Sequence, residues 1–496
     1  MVSNDGETSE GAPFLSYHEP DIVSVLTLIS FFYLLALSDW IADRILRAGL
    51  IGQIIVGLLY GLPVGNTLAL EWQETFIALG YLGLLIIIFE GGLTIRLDLL
   101  RQNFMLSVIA ALVGVLTPIA LSFGLLYGGW GFGALEAFIV GTALCSTSLG
   151  TTFVVINSAS KDVDFSQTRI GTVLISAAIL DDVCGLVLVS VIHQLRGIAD
   201  GSNLGWIIGR PILASGLLAV LTPLVAKFIA GPLFRRFVEV RFARFKHASN
   251  IVLMVFVLCA FLAISAYAGA SMLFGAFLTG AFTSSLPSKH PEGPFVGVLS
   301  REHGESTAGK SPTFVHTFEK YVSHVQRFIL QPLFFASIGF AIPFLDMWTG
   351  EIIWKGVVFT LLMLLGKVVV GVCVPLWDLL VDRQRSLLEK GQTLTGRSFV
   401  PTSWAPATLL GTAMVARGEI GLIIIQIGLN ETPFLSQKAF VIAVWAIVLN
   451  TIIGPVGVGL LLKRVGTRIA DDKLWGTQKR ATEEEFTGSA SEGMRE

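Results

Sequence analysis

The chain has 496 residues, of which 53% are hydrophobic and only 14% are charged. A soluble domain carries about 25% charged residues, so a chain of this composition would expose large apolar surfaces to water. The formal net charge of −2 argues against a nucleic-acid partner. A membrane protein is therefore indicated, in which each spanning helix needs about 20 mostly apolar residues.

Polar and Gly/Pro-rich stretches divide the chain into about thirteen apolar segments. This division predicts an all-α polytopic membrane protein with about 13 transmembrane helices. The predicted segments, in chain order, are 22–42, 48–64, 74–94, 104–127, 132–156, 168–194, 205–231, 248–267, 270–286, 322–345, 351–378, 404–429 and 436–462.

The ends of the chain are polar. Residues 1–21 lack the pattern of a cleavable signal peptide, so we expect the first apolar segment to insert uncleaved. The composition predicts a transmembrane domain at 22–463 and a flexible tail at 464–496, rich in Glu, Ser and Gly.

Lysine and arginine are distributed unequally between alternate loops. Because such residues concentrate in cytoplasmic loops, this bias favours thirteen spans, an N-terminus outside and a C-terminus in the cytoplasm, with the plasma membrane as the expected location. The richest loops contain the groups Arg235–Lys246, Lys289–Lys320 and Arg383–Arg397, whereas the opposite loops offer only Arg196, Arg210, Lys355 and Lys438.

Few ionisable residues fall at membrane depth, where charge is costly and commonly functional. Asp181 and Asp182 lie in the middle of the sixth segment, Lys367 in the eleventh, Arg417 and Glu419 in the twelfth, and Glu90 near the end of the third. Neighbouring residues on a helix point about 100° apart, so one Asp can face a water-filled cavity while the other faces a protein partner. Burial favours the neutral form of a carboxyl group and a nearby ammonium favours the ionised form. The pair could therefore trade a proton for a cation.

Lys367 needs a carboxylate partner because its sequence neighbours are apolar. Asp181 or Asp182 is the expected partner. The alternative is a static pair with Glu419 that merely holds helices together.

Two apolar segments contain polar interruptions. The first runs from Cys145 to Thr152, and the second includes Gly411–Thr412 and Arg417–Glu419. Broken helices at the midplane expose backbone groups that bind ions in transporters built from inverted repeats. If segments 1–6 and 8–13 are the repeats, these two interruptions correspond. Thr147 and Ser148 would offer hydroxyl ligands to a hard cation, although close helix packing is an alternative explanation of such small residues.

Six pieces of the sequence, in this order, resemble the monovalent cation/proton antiporter superfamily, in particular the bacterial electrogenic sodium/proton antiporters with an Asp-Asp pair. The resemblance covers about 22–462. The pieces are IGQIIVGLLYG (51–61), FEGGLTIRLDLL (89–100), ALCSTSLGTT (143–152), AAILDDV (177–183), Lys367 and ARGEIGLI (416–423).

The resemblance implies a role for each candidate residue. Asp182 would be the carboxylate that exchanges Na⁺ and H⁺, with Asp181 salt-bridged to Lys367 when no cation is bound. Thr147 would lie beside the ion, and Ser148 stands where some relatives carry an acid. Glu90 matches an acid that lines the site in some relatives, and Arg417 and Glu419 would organise the core. The family also implies a core domain with crossed broken helices, a dimerisation domain, a homodimer and a role in pH homeostasis.

The leading hypothesis is a secondary transporter, not an enzyme, that exchanges Na⁺ for H⁺ electrogenically by alternating access. A K⁺/H⁺ antiporter of the same fold is the main alternative, and a passive cation channel lined by the same acids is another. An intramembrane aspartyl protease is disfavoured, because its two carboxylates must share a proton and adjacent positions on a helix diverge. The four cysteines form no CxxC pair, and no cofactor is expected.

Overall fold

A computed structural model describes most of the chain. The described residues are 19–95, 103–148, 168–196, 204–238, 247–286, 313–388, 403–470, 472 and 474–476. Within these ranges every regular element is helical.

The first half of the described chain contains eight helices. In order they are α1 (Ile22–Leu46), α2 (Gly49–Tyr60), α3 (Leu70–Leu93), α4 (Phe104–Ser122, continued by the π-helical stretch Phe123–Gly129), α5 (Ala134–Ala143), α6 (Arg169–Leu195), α7 (Leu204–Val225, prolonged by shorter helical stretches to Val238) and α8 (His247–Ala268).

The second half contains eight more helices among the described residues. They are α9 (Met272–Ser285), α10 (Phe314–Tyr321), α11 (Gln331–Phe340, reached through Ser323–Val325 and the π-helical Gln326–Leu330), α12 (Gly350–Val368), α13 (Cys373–Leu388, after the 3₁₀ turn Val369–Val372), α14 (Trp404–Ala413), α15 (Glu419–Glu431) and α16 (Gln437–Ala470). A further 3₁₀ turn, Phe344–Trp348, precedes α12.

Eight helical stretches in the described part of the chain are long and apolar enough to cross a membrane. The chain is therefore an integral membrane protein, as its composition predicted. All thirteen predicted segments contain helix, but some helices are short: α2, α5 and α9 have 12, 10 and 14 residues. The number of spans consequently stays a prediction.

The helices pack into two bundles. The first bundle contains α1, α2, α3, α8, α9, α10 and α11, and the second contains α4, α5, α6 and α12 to α16, with α7 packing against both. Glycines allow very close approach in the first bundle: a Cβ added to Gly57 would lie 2.1 Å from the Ala336 carbonyl oxygen, and one added to Gly280 would lie 2.2 Å from that of Phe89. Small residues commonly drive helix association in lipid in this way.

The described residues after 463 include the end of α16 and a short stretch that packs against the second bundle. Residues from 464 were expected to be flexible, yet α16 continues to Ala470 and Trp475 is only 1% exposed. Trp475 packs with the buried apolar residues of the second bundle. The flexible tail stays a prediction. Residues 477–496 and 1–18 lie outside the described residues.

Candidate functional site

Two helices of the second bundle are interrupted in the same way. After α5 ends at Ala143, residues 144–148 form a turn and then non-helical chain. After α14 ends at Ala413, residues 414–418 do the same before α15 begins. Serine and threonine favour such breaks because their hydroxyl groups compete for backbone hydrogen bonds. The sequence predicted both interruptions, although residues 149–152 of the first lie outside the described residues.

The two interrupted stretches contact each other, and we refer to this point of contact as the crossing. The Ser148 backbone N–H donates to the Ala416 carbonyl at 2.9 Å. A Cβ added to Gly418 would lie 2.8 Å from the Ser148 Cβ, so only glycine allows this approach. Backbone groups that would bond within a continuous helix are thereby available to side chains and ions.

The Asp pair lies on α6 beside this crossing. Asp181 is fully buried, whereas Asp182 is half-buried. The Oδ2 atom of Asp181 accepts hydrogen bonds from Lys367 Nζ at 2.6 Å and from Thr147 Oγ1 at 2.6 Å. The two neighbouring carboxylates thus occupy different surroundings, as their angular separation on a helix requires.

Lys367 of α12 forms the ion pair with Asp181, at a site where both side chains are fully buried. Its Nζ also donates to Thr147 Oγ1 at 3.0 Å and to the Cys145 carbonyl oxygen. An ammonium group has three donors, and these three acceptors use all of them. Of the partners considered from sequence, the structure therefore selects Asp181 rather than Glu419.

One carboxylate oxygen of Asp182 accepts no hydrogen bond. Its Oδ1 has no hydrogen-bond partner, and the Thr147 backbone N–H donates to the carboxylate. No cluster of three or more His, Cys, Asp or Glu side chains suited to a resident metal occurs among the described residues. A carried cation would instead find single oxygen atoms here, including Asp182 Oδ1 and the unpartnered Asp181 Oδ1. Sodium favours such hard oxygen ligands.

The second interruption contributes Arg417 and Glu419. Arg417 is fully buried, and its Nη1 donates to the Ser146 carbonyl at 3.1 Å while Nε and Nη2 have no hydrogen-bond partner. The Arg417 carbonyl in turn accepts from Thr451 Oγ1 of α16 at 3.0 Å. Glu419, at the start of α15, is half-buried and close enough to Asp182 to interact electrostatically. These contacts place a buried positive charge across the crossing.

Glu90 is not brought into this cluster. Its Oε2 accepts from Gln326 Nε2 at 2.7 Å, and both residues belong to the first bundle or its connecting stretch. The Asp181 cluster lies in the second bundle.

Several contributing groups were not predictable from residue type. The carbonyl oxygens of Cys145, Ser146 and Met414 accept from Lys367, Arg417 and Thr147 respectively, the last at 3.3 Å. Backbone carbonyls carry no side-chain signature, so only the interruptions themselves signalled them.

Sequence comparison gives extensive matches. The family described as "sodium/hydrogen exchanger, transmembrane" matches residues 28–464. A Na⁺/H⁺ antiporter of Enterococcus hirae is 24% identical over 420 residues, which cover 84% of this chain and 92% of that protein. The Na⁺/H⁺-K⁺ antiporter GerN of Bacillus cereus is 25% identical over 424 residues, covering 83% of this chain and 89% of GerN.

Structural comparison finds the same fold in a solved protein. The sodium proton antiporter MjNhaP1 from Methanocaldococcus jannaschii aligns with a TM-score of 0.56 over 88% of this chain and 97% of that one. Sequence identity is 16%, so this similarity concerns the fold alone.

Proposed function

The chain belongs to the sodium/hydrogen exchanger family, and on that premise we propose that it is a secondary antiporter in which Asp182 carries either a sodium ion or a proton. The observation that carries the proposal is the position of Asp182: mid-helix, half-buried, with a free Oδ1, beside the crossing of the two interruptions. A charge at such a depth costs free energy, so an ionisable residue there is a candidate for a functional role.

Competition at one carboxylate provides the coupling. A protonated Asp182 has lost the negative charge that attracts a cation, and a cation on Asp182 disfavours protonation. Each ligand therefore lowers the affinity for the other, and this reciprocity lets a gradient of one drive movement of the other. Thr147 and Ser148 line the same crossing and would complete the oxygen ligands.

Lys367 makes the exchange electrogenic in this proposal. When a cation binds between Asp182 and Asp181, the Lys367 ammonium loses its carboxylate partner in an apolar interior and releases its proton. One proton then leaves Asp182 and a second leaves Lys367 for each monovalent cation bound, so one net charge moves per cycle. If Lys367 stayed protonated, one proton would exchange for one cation and no net charge would move.

The two bundles suit alternating access. The second bundle holds all the ionisable groups of the crossing, and we propose that it moves against the first, which forms the dimerisation domain of a homodimer. The matching interruptions after α5 and α14 support two inverted repeats in thirteen spans. Residence in the plasma membrane, an N-terminus outside, a cytoplasmic C-terminus and a role in pH homeostasis complete the proposal.

Potassium is the second cation to test, because the name of GerN includes it. A K⁺/H⁺ antiporter could use the same carboxylates, since the ligand set near Asp182 consists of oxygen atoms that either ion accepts. A passive channel needs a continuous charged lining, whereas the acids here are concentrated at one crossing.

The test uses purified protein in proteoliposomes that contain a pH-sensitive dye. Adding Na⁺, Li⁺ or K⁺ outside should dissipate an imposed pH gradient, with sodium effective at the lowest concentration. Asp182→Asn should abolish the response, because an amide cannot exchange a proton. Asp346→Asn, the same substitution at an exposed position, should leave it unchanged.

Three outcomes would count against the proposal. Sodium-driven proton flux that persists in Asp182→Asn would show that another group carries the ion. A response to potassium alone would favour the K⁺/H⁺ alternative, and cation flux independent of pH would indicate a channel. Clamping the membrane potential at different values separates electrogenic from electroneutral exchange, because only the rate of electrogenic exchange depends on the potential.

A further inference from the structure

The residues that follow α16 form a compact turn with its own internal hydrogen bonds. Asp472 Oδ1 accepts the backbone N–H groups of Leu474 at 2.8 Å and Trp475 at 3.1 Å. The Gly476 N–H donates to the Asp472 carbonyl at 2.8 Å. An Asp side chain that bonds to the following backbone fixes a turn without outside help. We refer to Asp472, Leu474, Trp475 and Gly476 as the C-terminal turn.

Trp475 is inserted into the second bundle. Its side chain is the largest among the described residues that are under 2% exposed. The indole Nε1 donates to Asp378 Oδ2 of α13 at 3.1 Å, and the same oxygen accepts from Ser403 Oγ, just before α14, at 2.7 Å. A buried indole needs both apolar packing and a partner for its N–H group, and this position supplies both.

The C-terminal turn also bonds to the start of α6, the helix that carries the Asp pair. The backbone N–H of Arg169 donates to the Gly476 carbonyl at 3.1 Å and that of Ile170 to the Trp475 carbonyl at 3.3 Å. The first N–H groups of a helix have no partner within the helix, so they need acceptors from elsewhere. Thr168 supplies one, accepting from the Gly171 N–H at 3.1 Å, and the C-terminal turn supplies two.

Arg169 extends the connection to α4. Its guanidinium lies over the Trp475 ring, with Cζ 4.8 Å from the ring centroid, and its Nε donates to Asn103 Oδ1 at 3.2 Å. The C-terminal turn thus contacts α6 and α13 directly, and through Arg169 and Asp378 it is connected to the residues that precede α4 and α14, all in the second bundle.

We propose that the C-terminal turn is a positioning element for the cation site, with Trp475 as its principal residue, and that it fixes α6 against the rest of the second bundle. Asp182 lies about 20 Å along the α6 axis from the turn, at 1.5 Å per residue. A helix transmits a displacement of its first turn to groups farther along it. The position of Asp181 and Asp182 relative to Thr147 and Lys367 therefore depends on how the start of α6 is held.

The first experiment measures how firmly the start of α6 is held and does not require transport activity. A chain ending at Ala470 lacks the C-terminal turn, whereas a matched chain ending at Lys479 retains it and lacks only the acidic remainder. Hydrogen exchange across residues 169–180 should be at least about tenfold faster in the shorter chain, because local opening becomes easier when end contacts are removed. Equal exchange in the two chains would overturn the proposal.

The second experiment measures the cation site and rests on the proposed antiport. Trp475→Ala should raise the apparent KM for sodium at least about tenfold while the maximal rate changes less, the range in which loss of an outer support weakens a metal site. Trp475→Phe keeps an aromatic ring and the backbone contacts and loses only the indole N–H bond to Asp378, so it should retain most of the affinity. Trp404→Ala, which removes a 52% exposed tryptophan near the same end of the bundle, should leave KM unchanged.

The outcomes separate this inference from the proposed function. If Trp475→Ala loses protein yield and thermal stability but the surviving protein has an unchanged sodium KM, the turn is only a folding contact and the inference fails. If neither the wild-type chain nor any variant exchanges sodium for protons, the antiport proposal fails while hydrogen exchange still decides the role of the turn. Where Trp475→Ala does not fold, the Trp475→Phe variant and the two truncated chains provide the measurement.

Discussion

The two helix interruptions have similar secondary structure but different side-chain chemistry. In the described residues, each shows two turn residues followed by three residues outside any helix, at 144–148 and at 414–418. The first contains small and hydroxyl side chains, and it contacts both members of the Asp181–Lys367 pair. The second contains a buried arginine and is fastened to α16 through Thr451.

This difference indicates a division of labour. Both interruptions have backbone groups that are not bonded within a helix. Among the described residues, the contacts with the carboxylates of α6 come from the first interruption. The second interruption places the positive charge of Arg417 near these carboxylates and is bonded to α16. We therefore expect substitutions at the first interruption to change cation response, and those at the second to change mainly stability.

The largest effect should come from removing the charge that the first interruption supports. Lys367→Met leaves Asp181 buried without its cation, and breaking a buried pair in this way costs about 3–5 kcal/mol. We expect a correspondingly lower melting temperature in detergent.

A charge-free double variant provides the control for that prediction. Lys367→Met combined with Asp181→Asn removes both charges, and replacement of a whole buried pair is often close to neutral. It should recover most of the lost stability. Failure to recover would mean that Lys367 stabilises the fold by its hydrogen bonds to the first interruption rather than by pairing with Asp181.

A smaller effect is expected at Thr147, on the first interruption itself. Thr147→Val keeps the shape but removes the hydroxyl that donates to Asp181 Oδ2 at 2.6 Å. A hydrogen bond to a charged group contributes about 1.5–3 kcal/mol. Because this hydroxyl also contacts Lys367, the stabilisation of the protein by added sodium should change as well. Thermal shift with and without sodium measures both quantities, and an unchanged sodium response would contradict the comparison.

Much of the fold could be predicted from the sequence, because a segment that crosses lipid must satisfy its backbone hydrogen bonds internally and few structures do so. Apolar length was sufficient to predict thirteen segments that all contain helix, whereas the orientation inferred from Lys and Arg stays a prediction. The Asp181–Lys367 pair was predictable because an ammonium at that depth requires a carboxylate. Glu90 was placed near the site only by resemblance, and its hydrogen bond to Gln326 puts it in the first bundle.

What sequence reasoning missed depends on long-range packing. The polar composition after 464 predicted flexibility, yet one tryptophan found a buried position with an acceptor on α13. Composition averages over such a residue, and nothing in its neighbours indicates where its indole will bond. The carbonyl acceptors at the crossing were hidden for a similar reason, since any residue type can provide them.

The smallest effect should come from Thr451→Val on α16, the matching substitution at the residue that bonds to the second interruption. The Thr451 hydroxyl has one proton and two acceptors, the Arg417 carbonyl at 3.0 Å and the Ile447 carbonyl of its own helix at 2.7 Å. Since the nearer acceptor competes for that proton, we expect a loss of about 1 kcal/mol at most, near the net value of an ordinary hydrogen bond. The sodium response should stay at the wild-type value, in contrast to Thr147→Val, because Thr451 contacts the second interruption and not the carboxylates. A change in sodium response equal to that of Thr147→Val would show that the two interruptions act as one unit, and the division of labour between them would have to be abandoned.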